Sequence, residues 1–331
     1  MVLQESGGET GNDAEAEEDD DEFDSDDFFD DDETHYEDLL STLGSSVGPS
    51  YTPSRRVAGR KRPVFKSVGG APVYGITPDE MNEVERICVQ ETGPDESQMI
   101  ENAGRSAATL VIQALGGARR IKVGNHNAAP TVVVMAGNNK IGAYGLCTAR
   151  HLANHEVNVV VCLVGGETDL SNAVSQQRKI FLPTGGQVVK HVHELPQVLD
   201  IIVDALLGSV QQILHLVEVD RVLTTELIEW CNEERANVLC LDIPSGINGF
   251  TGVPSSKLFV SPKWTLAFGL PKACLVNVMD KGELLLADIG IPKIVFQKLS
   301  VAIASGGRGK QPIRYVPPFG DKYIVGLTIP Q

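Results

Sequence analysis

The first fifty residues contain no lysine or arginine, although they carry 19 of the 44 Asp and Glu residues of this 331-residue chain. The remainder has 44 − 19 = 25 acids and all 28 basic residues, so the net charge of −16 belongs to the N-terminal stretch. A segment with so much like charge and so little apolar content cannot offset the entropy of folding. We therefore expect residues 1–66 to be a disordered acidic tail followed by a basic linker.

Long apolar runs and paired cysteines are also missing. No run approaches the roughly 18 to 20 residues that span a bilayer, and the polar, acidic start excludes a signal sequence. The sequence predicts a soluble intracellular protein without a membrane partner. Because no C-x-x-C pair is present, buried reduced thiols are favoured over zinc or disulfides. The six cysteines concerned are Cys88, Cys147, Cys162, Cys231, Cys240 and Cys274.

Apolar side chains interrupt the acidic tail. They are Phe23, Phe28, Phe29, Tyr36, Leu39 and Leu40. Aromatics dispersed among carboxylates suit a short segment that folds onto a basic, grooved partner. A solvated acidic linker explains the pattern equally well, and both interpretations stay open.

A basic stretch, RRVAGRKRPVFK, follows the tail. Its six cations are Arg55, Arg56, Arg60, Lys61, Arg62 and Lys66. Such a cluster fits contact with nucleic-acid phosphates or a localisation signal. A solubilising linker is the other interpretation, because Phe65 is the only interleaved aromatic able to stack on bases.

The remainder alternates helix and strand patterns. Thr77, Pro78 and Glu80 predict a helix start with a capping box, and this helix runs to about Glu91. Further helices are predicted at 97–115 and 220–234, and strands at 131–135, 157–164, 187–192, 200–206, 237–243, 264–270 and 283–288. Continuous apolar strands between helices indicate an α/β fold with a mostly parallel sheet covered on both faces.

A glycine-containing loop follows the first buried strand. Gly137, Gly142 and Gly145 precede an apolar-periodic helix, and such a loop can bring backbone N–H groups close to a phosphate. The spacing matches neither G-x-G-x-x-G nor G-x-x-x-x-G-K-[ST], so a tight strand-to-helix turn without a ligand remains an alternative.

Two aspartates stand where ligands bind in parallel sheets, at the carboxyl ends of strands. Asp204 lies in VDALLG and Asp242 in LDIPSGING. The rigid Pro244-Ser245 turn could aim Asp242 into a cleft as an acid, base or cation ligand. Alternatively, Asp242 caps its own turn.

Two histidine pairs have spacings that could serve a metal ion. His151 and His155 have the spacing of H-E-x-x-H, but Leu152 replaces the glutamate, which disfavours a metal site. His191 and His193 alternate on a predicted strand and are expected to lie on one polar surface face.

Several motifs in order resemble the YjeF N-terminal domain: MIENAGRSAA, the glycine loop running into ARHL, VDALLG, LDIPSGINGFTG and ELLLADIGIP. That domain occurs in NAD(P)HX epimerases, which act on hydrated nicotinamide nucleotides, and in the enhancer of mRNA-decapping protein 3 family. The resemblance covers residues 73–325. It implies a Rossmann-like three-layer sandwich with a mostly parallel sheet that is usually homodimeric.

The resemblance also implies a partial ligand pocket. Counting back from Arg150, the aspartate of the epimerase pattern falls on Tyr144. Asp242 matches the catalytic aspartate, Asp204 the residue near a monovalent cation, and Lys272 a lysine of the nucleotide pocket. The implied pocket comprises Gly137, Asn138, Asn139, Lys140, Gly142, Tyr144, Asp204, Asp242, Ser245 and Lys272. No resident cofactor or metal is expected, although a nucleotide could occupy the partial pocket.

RHLANHEV and RYVPPFGDKYIV are similar to the decapping-enhancer version. This similarity implies a non-catalytic cytoplasmic scaffold that promotes mRNA decapping and P-body assembly. Its implied partners are a second copy, decapping-complex proteins and a DEAD-box helicase, while RNA as a partner rests on the basic stretch from Arg55 to Lys66. The chain departs from the family in two respects: it lacks the LSm barrel, and it has Phe23-Asp24-Ser25 in place of Phe-Asp-Phe. A truncated or partial gene model would explain these departures. An active epimerase is the alternative function.

Overall fold

The computed structural model describes residues 62–124, 129–305, 316 and 318–330, and side chains of the last helix through residue 299. The acidic tail and Arg55, Arg56, Arg60 and Lys61 lie outside these ranges, so the expectations for them stay predictions. Among the helices of the described ranges, none has the length and apolarity needed to cross a membrane.

One sheet organises the described part of the chain. Its strands are β1 (Val64–Ser67), β2 (Pro72–Tyr74), β3 (Thr131–Ala136), β4 (Asn158–Leu163), β5 (Gln187–Val189), β6 (Ile201–Ala205), β7 (Asn237–Leu241), β8 (Trp264–Phe268), β9 (Glu283–Ala287) and β10 (Ile324–Thr328). They are ordered β2-β1-β10-β9-β8-β7-β6-β3-β4-β5. From β9 to β5 all neighbours are parallel, whereas β10, β1 and β2 pair antiparallel at one edge. The predicted mostly parallel sheet is confirmed.

Six α-helices are described: α1 (Pro78–Ile87), α2 (Glu96–Ala114), α3 (Lys140–Asn154), α4 (Asn172–Phe181), α5 (Glu218–Glu233) and α6 (Lys293–Ser305). The predicted start of α1 is confirmed, because Thr77 and Glu80 form a reciprocal capping box. Asp95 and Gln98 cap α2 in the same way. The sequence predicts that α1 reaches about Glu91; the α-helix ends at Ile87, and residues 88–92 continue it as a π-helical turn.

Apolar side chains fill both faces of the sheet, which makes three layers. One cluster joins the sheet to α1, α2, α3, α4 and α6, and the other packs α5 against β3, β4, β6 and β7. Val133 and Val134, neighbours on β3, belong to opposite clusters. The run of apolar residues in such a strand follows from this burial on both faces. All six cysteines are buried and free, as expected.

Two features differ from the sequence predictions. β5 ends at Val189, so His191 and His193 do not alternate on a strand; His193 lies in a short 3-10 turn, and the two rings stack with centroids 5.2 Å apart. The sheet includes β1 and β10, so the folded part extends beyond residues 73–325 at both ends. These short edge strands carry little periodicity, and their pairing with each other makes them strands.

Candidate functional site

The predicted loop lies at the topological switch point of the sheet. The chain moves outward from β3 to β4 and β5, then returns to place β6 on the other side of β3. In open α/β sheets, ligands bind at the carboxyl ends of the strands on either side of such a reversal. The crevice there measures about 170 Å³, below the roughly 300–1,000 Å³ of ordinary ligand pockets.

The glycines of the loop are required by packing of the protein against itself. Helix α3 begins at Lys140, so the prediction that Gly142 and Gly145 precede the helix is wrong. A Cβ on Gly137 would lie 1.9 Å from the Leu206 carbonyl oxygen, and one on Gly142 only 1.8 Å from that of Gly137. Contacts that close mean that packing alone requires glycine at both positions, with or without a bound phosphate.

Asn139 organises the beginning of α3. Its side-chain oxygen accepts a hydrogen bond from the Gly142 N–H at 3.0 Å, which caps the helix. Its amide nitrogen donates to the Leu206 carbonyl at 2.6 Å and to Gln211 at 2.8 Å. Asn139 therefore ties β3 to the loop after β6 and has a structural role. No pattern in the sequence points to Gln211, which lies 72 residues from Asn139 along the chain.

The other two polar residues of the loop point away from the aspartates. Asn138 donates to the Asp169 carbonyl at 2.9 Å and accepts from the Ser171 N–H at 2.8 Å. Lys140 forms an ion pair with Glu85 of α1. The structure therefore does not bring Asn138 or Lys140 into contact with Asp204 or Asp242.

Asp204 is 1% exposed at the end of β6. Its carboxylate accepts hydrogen bonds from the Ser245 N–H, the Ser245 hydroxyl, the Leu206 N–H and the Cys240 thiol, at 2.6 to 3.2 Å. Burial raises the pKa of Asp204 above its ordinary value, and the bonds from Ser245 oppose that shift. A carboxylate has about four acceptor positions. The four donors occupy them, so Asp204 does not fit a monovalent cation as it stands here.

Asp242 and Lys272 form a buried ion pair. The Lys272 Nζ lies 2.7 Å from Asp242 Oδ1, and the two side chains are only 4% and 3% exposed. The Lys272 ammonium follows β8, whereas Asp242 follows the neighbouring strand β7, so the sheet order brings the two together.

The backbone at Asp242 is strained. Its φ is +71°, and the Ile243 N–H donates to the Leu241 carbonyl, which closes a γ-turn around Asp242. This form of γ-turn is rare, and a non-glycine residue there costs of order 1–3 kcal/mol. A glycine would adopt this backbone conformation without strain, whereas the aspartate adopts it at an energetic cost.

Tyr144 lies on the buried face of α3. It is 1% exposed, and its ring packs edge-on against Phe268 with centroids 5.0 Å apart. Within the described residues its hydroxyl has no hydrogen-bond partner, and the residue lines a cavity of about 260 Å³. Burial, followed by the nearby carboxylates of Glu85 and Asp242, raises the pKa of Tyr144 well above its ordinary value.

Of the predicted basic cluster, the structure describes two members. Arg62 forms a bidentate ion pair with Glu80 of α1. Lys66 is exposed on β1. Arg62 is therefore held against the domain, and Lys66 is the described member that faces solvent.

His151 contacts Glu101 of α2 at 2.9 Å. Glu101, Cys147 and His151 place one ligand atom each within 4.8 Å of one another, a grouping that the spacing of the histidines does not reveal because Glu101 belongs to another helix. Arg150 donates to Glu101 and lies 3.4 Å from the Cys147 sulfur, so a cation already sits among these atoms. The group connects α2 to α3 as an ion-pair network.

Asp204 and Ser245 thus meet, as do Asp242 and Lys272, whereas the loop residues form separate contacts. A cavity of about 650 Å³ lies between α2 and the β9–β10 edge, and none of the predicted pocket residues line it.

Comparisons with known proteins bear on this site. A family model described as YjeF-related protein N-terminus matches residues 96–274. The NAD(P)H-hydrate epimerase of Dehalogenimonas lykanthroporepellens is 34% identical over 264 residues, which are 80% of this chain and 97% of that protein. The Homo sapiens enhancer of mRNA-decapping protein 3 is 30% identical over 229 residues, 69% of this chain. The match spans only 40% of that human protein's length. The crystal structure of yeast Ynu0, YNL200c, is 21% identical in sequence and superposes with a TM-score of 0.59. The match covers 76% of this chain and 99% of the yeast chain, and it shows a shared fold.

Proposed function

The chain belongs to the family of the YjeF-related protein N-terminus, and on that premise we propose that it is a non-catalytic scaffold of cytoplasmic mRNA decapping. Its relatives include enhancers of mRNA-decapping protein 3 from several vertebrates at about 30% identity. In this proposal the domain forms a homodimer, the acidic tail recruits decapping proteins, and the assembly enters P-bodies.

The observation that carries the non-catalytic part is the state of Asp242. A catalytic aspartate must touch the reacting atoms of its substrate. Here the Asp242 and Lys272 side chains are 3% and 4% exposed and paired at 2.7 Å. A nicotinamide ring would have to displace Lys272 and the covering side chains to reach this carboxylate.

Turnover of hydrated NADH tests this point. Purified full-length chain is expected to leave the epimer ratio unchanged, while the Dehalogenimonas epimerase serves as the positive control. Asp242→Asn is the matched variant, because asparagine tolerates a positive φ. Turnover by the unmodified chain that is lost in Asp242→Asn would establish epimerase activity and refute the proposal of a non-catalytic scaffold.

Dimerisation is the property by which the proposed scaffold would bring its partners together. Two linked copies raise the effective concentration of bound partners, which favours bridging of ribonucleoproteins. Light scattering at micromolar concentration is expected to give twice the chain mass of 35.6 kDa, or 71.2 kDa.

Pull-down from cytoplasmic extract with the full chain should recover decapping proteins and a DEAD-box helicase, and a form lacking residues 1–50 should recover fewer.

RNA binding is a separate part of the proposal and depends on the basic stretch. Replacing Arg55, Arg56, Arg60, Lys61 and Lys66 by glutamine should weaken binding of single-stranded RNA and flatten its salt dependence, because fewer counterions are released. Arg62 is left unchanged in this variant because it pairs with Glu80. Equal affinity before and after the substitutions would exclude this stretch as the RNA site.

One observation favours the epimerase as a second candidate. The strained γ-turn at Asp242 is costly for a structural residue, and strain of this kind concentrates at functional sites. The Dehalogenimonas relative, 97% of whose length is matched by this chain, is named an NAD(P)H-hydrate epimerase. In that case the Asp242–Lys272 pair would have to open on substrate binding, and the turnover assay above decides between the two.

A further inference from the structure

A small cavity opens beside Tyr144, between α1 and the first turns of α2 and α3. We call it the Tyr144 cavity. It measures about 260 Å³, and its walls include Glu85, Val89, Glu96, Met99 and Tyr144. Met99 is 3% exposed and forms part of the apolar wall, whereas Val89 is 53% exposed at the rim.

The Tyr144 hydroxyl is a polar group at this cavity without a partner among the described residues. It is not one of the fully enclosed unpartnered atoms of the described part, which are Arg150 Nε, Gln177 Oε1 and Arg178 Nε, so it can take a hydrogen bond from a molecule in the cavity. In the described part of the chain no residue hydrogen-bonds this hydroxyl, although the side chain is 1% exposed. Because burial and neighbouring carboxylates raise the pKa of Tyr144, the phenol stays neutral and can both donate and accept.

The charges around the cavity are unevenly balanced. Lys140 is held by Glu85, and Arg86 is held by Glu83 at 2.7 Å. Both cations of the wall therefore already have a carboxylate. Glu96, in contrast, is solvent-exposed in the first turn of α2 and has no ion pair with any residue that the structure describes. An anionic ligand would meet two cations that are already paired and the Glu96 carboxylate, which disfavours it.

We propose that the Tyr144 cavity receives an arginine side chain from a partner protein. The guanidinium would donate to the Glu96 carboxylate and to the Tyr144 oxygen, and its three methylenes would lie along Met99 and Val89. A planar guanidinium with five N–H donors can serve two acceptors at once, which a single ammonium does less well. The volume suits one side chain rather than a nucleotide. The inference is independent of the role in decapping, since binding alone is measured.

The test uses the full chain and N-acetyl-arginine methylamide, followed by ligand-detected NMR titration. N-acetyl-citrulline methylamide, which has nearly the same shape without the charge, is the matched probe. Capped arginine is expected to bind saturably and about tenfold more tightly than capped citrulline. Glu96→Gln should weaken capped arginine about fivefold, as expected for an ion pair to an exposed carboxylate, and Tyr144→Phe about threefold, as expected for the loss of one neutral hydrogen bond.

Two control variants locate the effect. Glu226→Gln on α5 and Tyr323→Phe, whose side chain is 75% exposed, change the same residue types elsewhere and should leave the affinity unchanged. Tyr144→Phe removes an unpartnered hydroxyl and is expected to fold normally. Absence of saturable binding would overturn the proposal, as would binding that neither Glu96→Gln nor Tyr144→Phe weakens. Displacement of capped arginine by NADPH, with the same dependence on Tyr144, would instead make this a nucleotide site.

Discussion

Replacing Lys272 by methionine tests whether the Asp242–Lys272 pair is sealed from water. Nζ and Oδ1 are 2.7 Å apart, and both side chains are at most 4% exposed. Removing one partner of such a buried pair leaves an uncompensated charge and costs about 3–5 kcal/mol. The same change in an exposed pair costs only about 0–1 kcal/mol. The size of the loss therefore reports the environment of the aspartate directly.

Urea unfolding of the full chain, followed by circular dichroism, measures this cost. With a slope of roughly 3 kcal/mol per molar urea, the midpoint of Lys272→Met should fall by about 1–2 M. The matched control is Lys298→Met, whose partner Glu91 lies 3.0 Å away in a pair that is 25% and 44% exposed. The control midpoint should move by no more than about 0.3 M.

A double-mutant cycle separates the charge from the lost packing. Asp242→Asn alone leaves the lysine unpaired, whereas Asp242→Asn with Lys272→Met leaves no charge in the site. The double variant should therefore lose clearly less than the sum of the two single losses, with a coupling of about 2–3 kcal/mol. If Lys272→Met costs under about 1 kcal/mol, the pair is open to water. The burial argument against catalysis then fails.

Three further changes probe the same region. Tyr144→Phe should leave the urea midpoint unchanged or raise it slightly, because the deleted hydroxyl has no described partner, and a loss above about 1 kcal/mol would contradict this. Gly142→Ala should destabilise by at least about 1–3 kcal/mol, because its Cβ would lie 1.8 Å from a backbone oxygen, whereas Gly69→Ala, with its nearest atom at 3.8 Å, should be close to neutral in the same assay. Burial raises the pKa of Glu101, but Arg150, with His151 and Cys147, more than offsets that effect and leaves the pKa below its ordinary value. The stabilising contribution of Glu101 is therefore present above the unfolded pKa of about 4.3 and lost as pH falls through the folded pKa. Unfolding midpoints between pH 3 and 6 should show this loss in the unmodified chain and a flatter profile in Arg150→Leu.

The sequence by itself determined the features that depend on neighbouring residues. The capping box at Thr77 and Glu80 joins groups three residues apart, so it could be predicted and is confirmed. The β-branched run of β3 indicated a strand buried on both faces, and its parallel pairing with β4 and β6 agrees. The motifs quoted for the YjeF-related resemblance also held, because the same family matches residues 96–274.

Contacts between distant residues were decided only by the tertiary structure. Asp242 and Lys272 are 30 residues apart and meet because β7 and β8 are neighbours in the sheet. The glycine loop suggested a phosphate site, yet the space beside Gly137 belongs to the Leu206 carbonyl at the end of β6. Local hydrogen bonds within a few residues leave a pattern in the sequence. The order of strands in a sheet leaves none, and that order sets which side chains share a cavity and which are closed off from solvent.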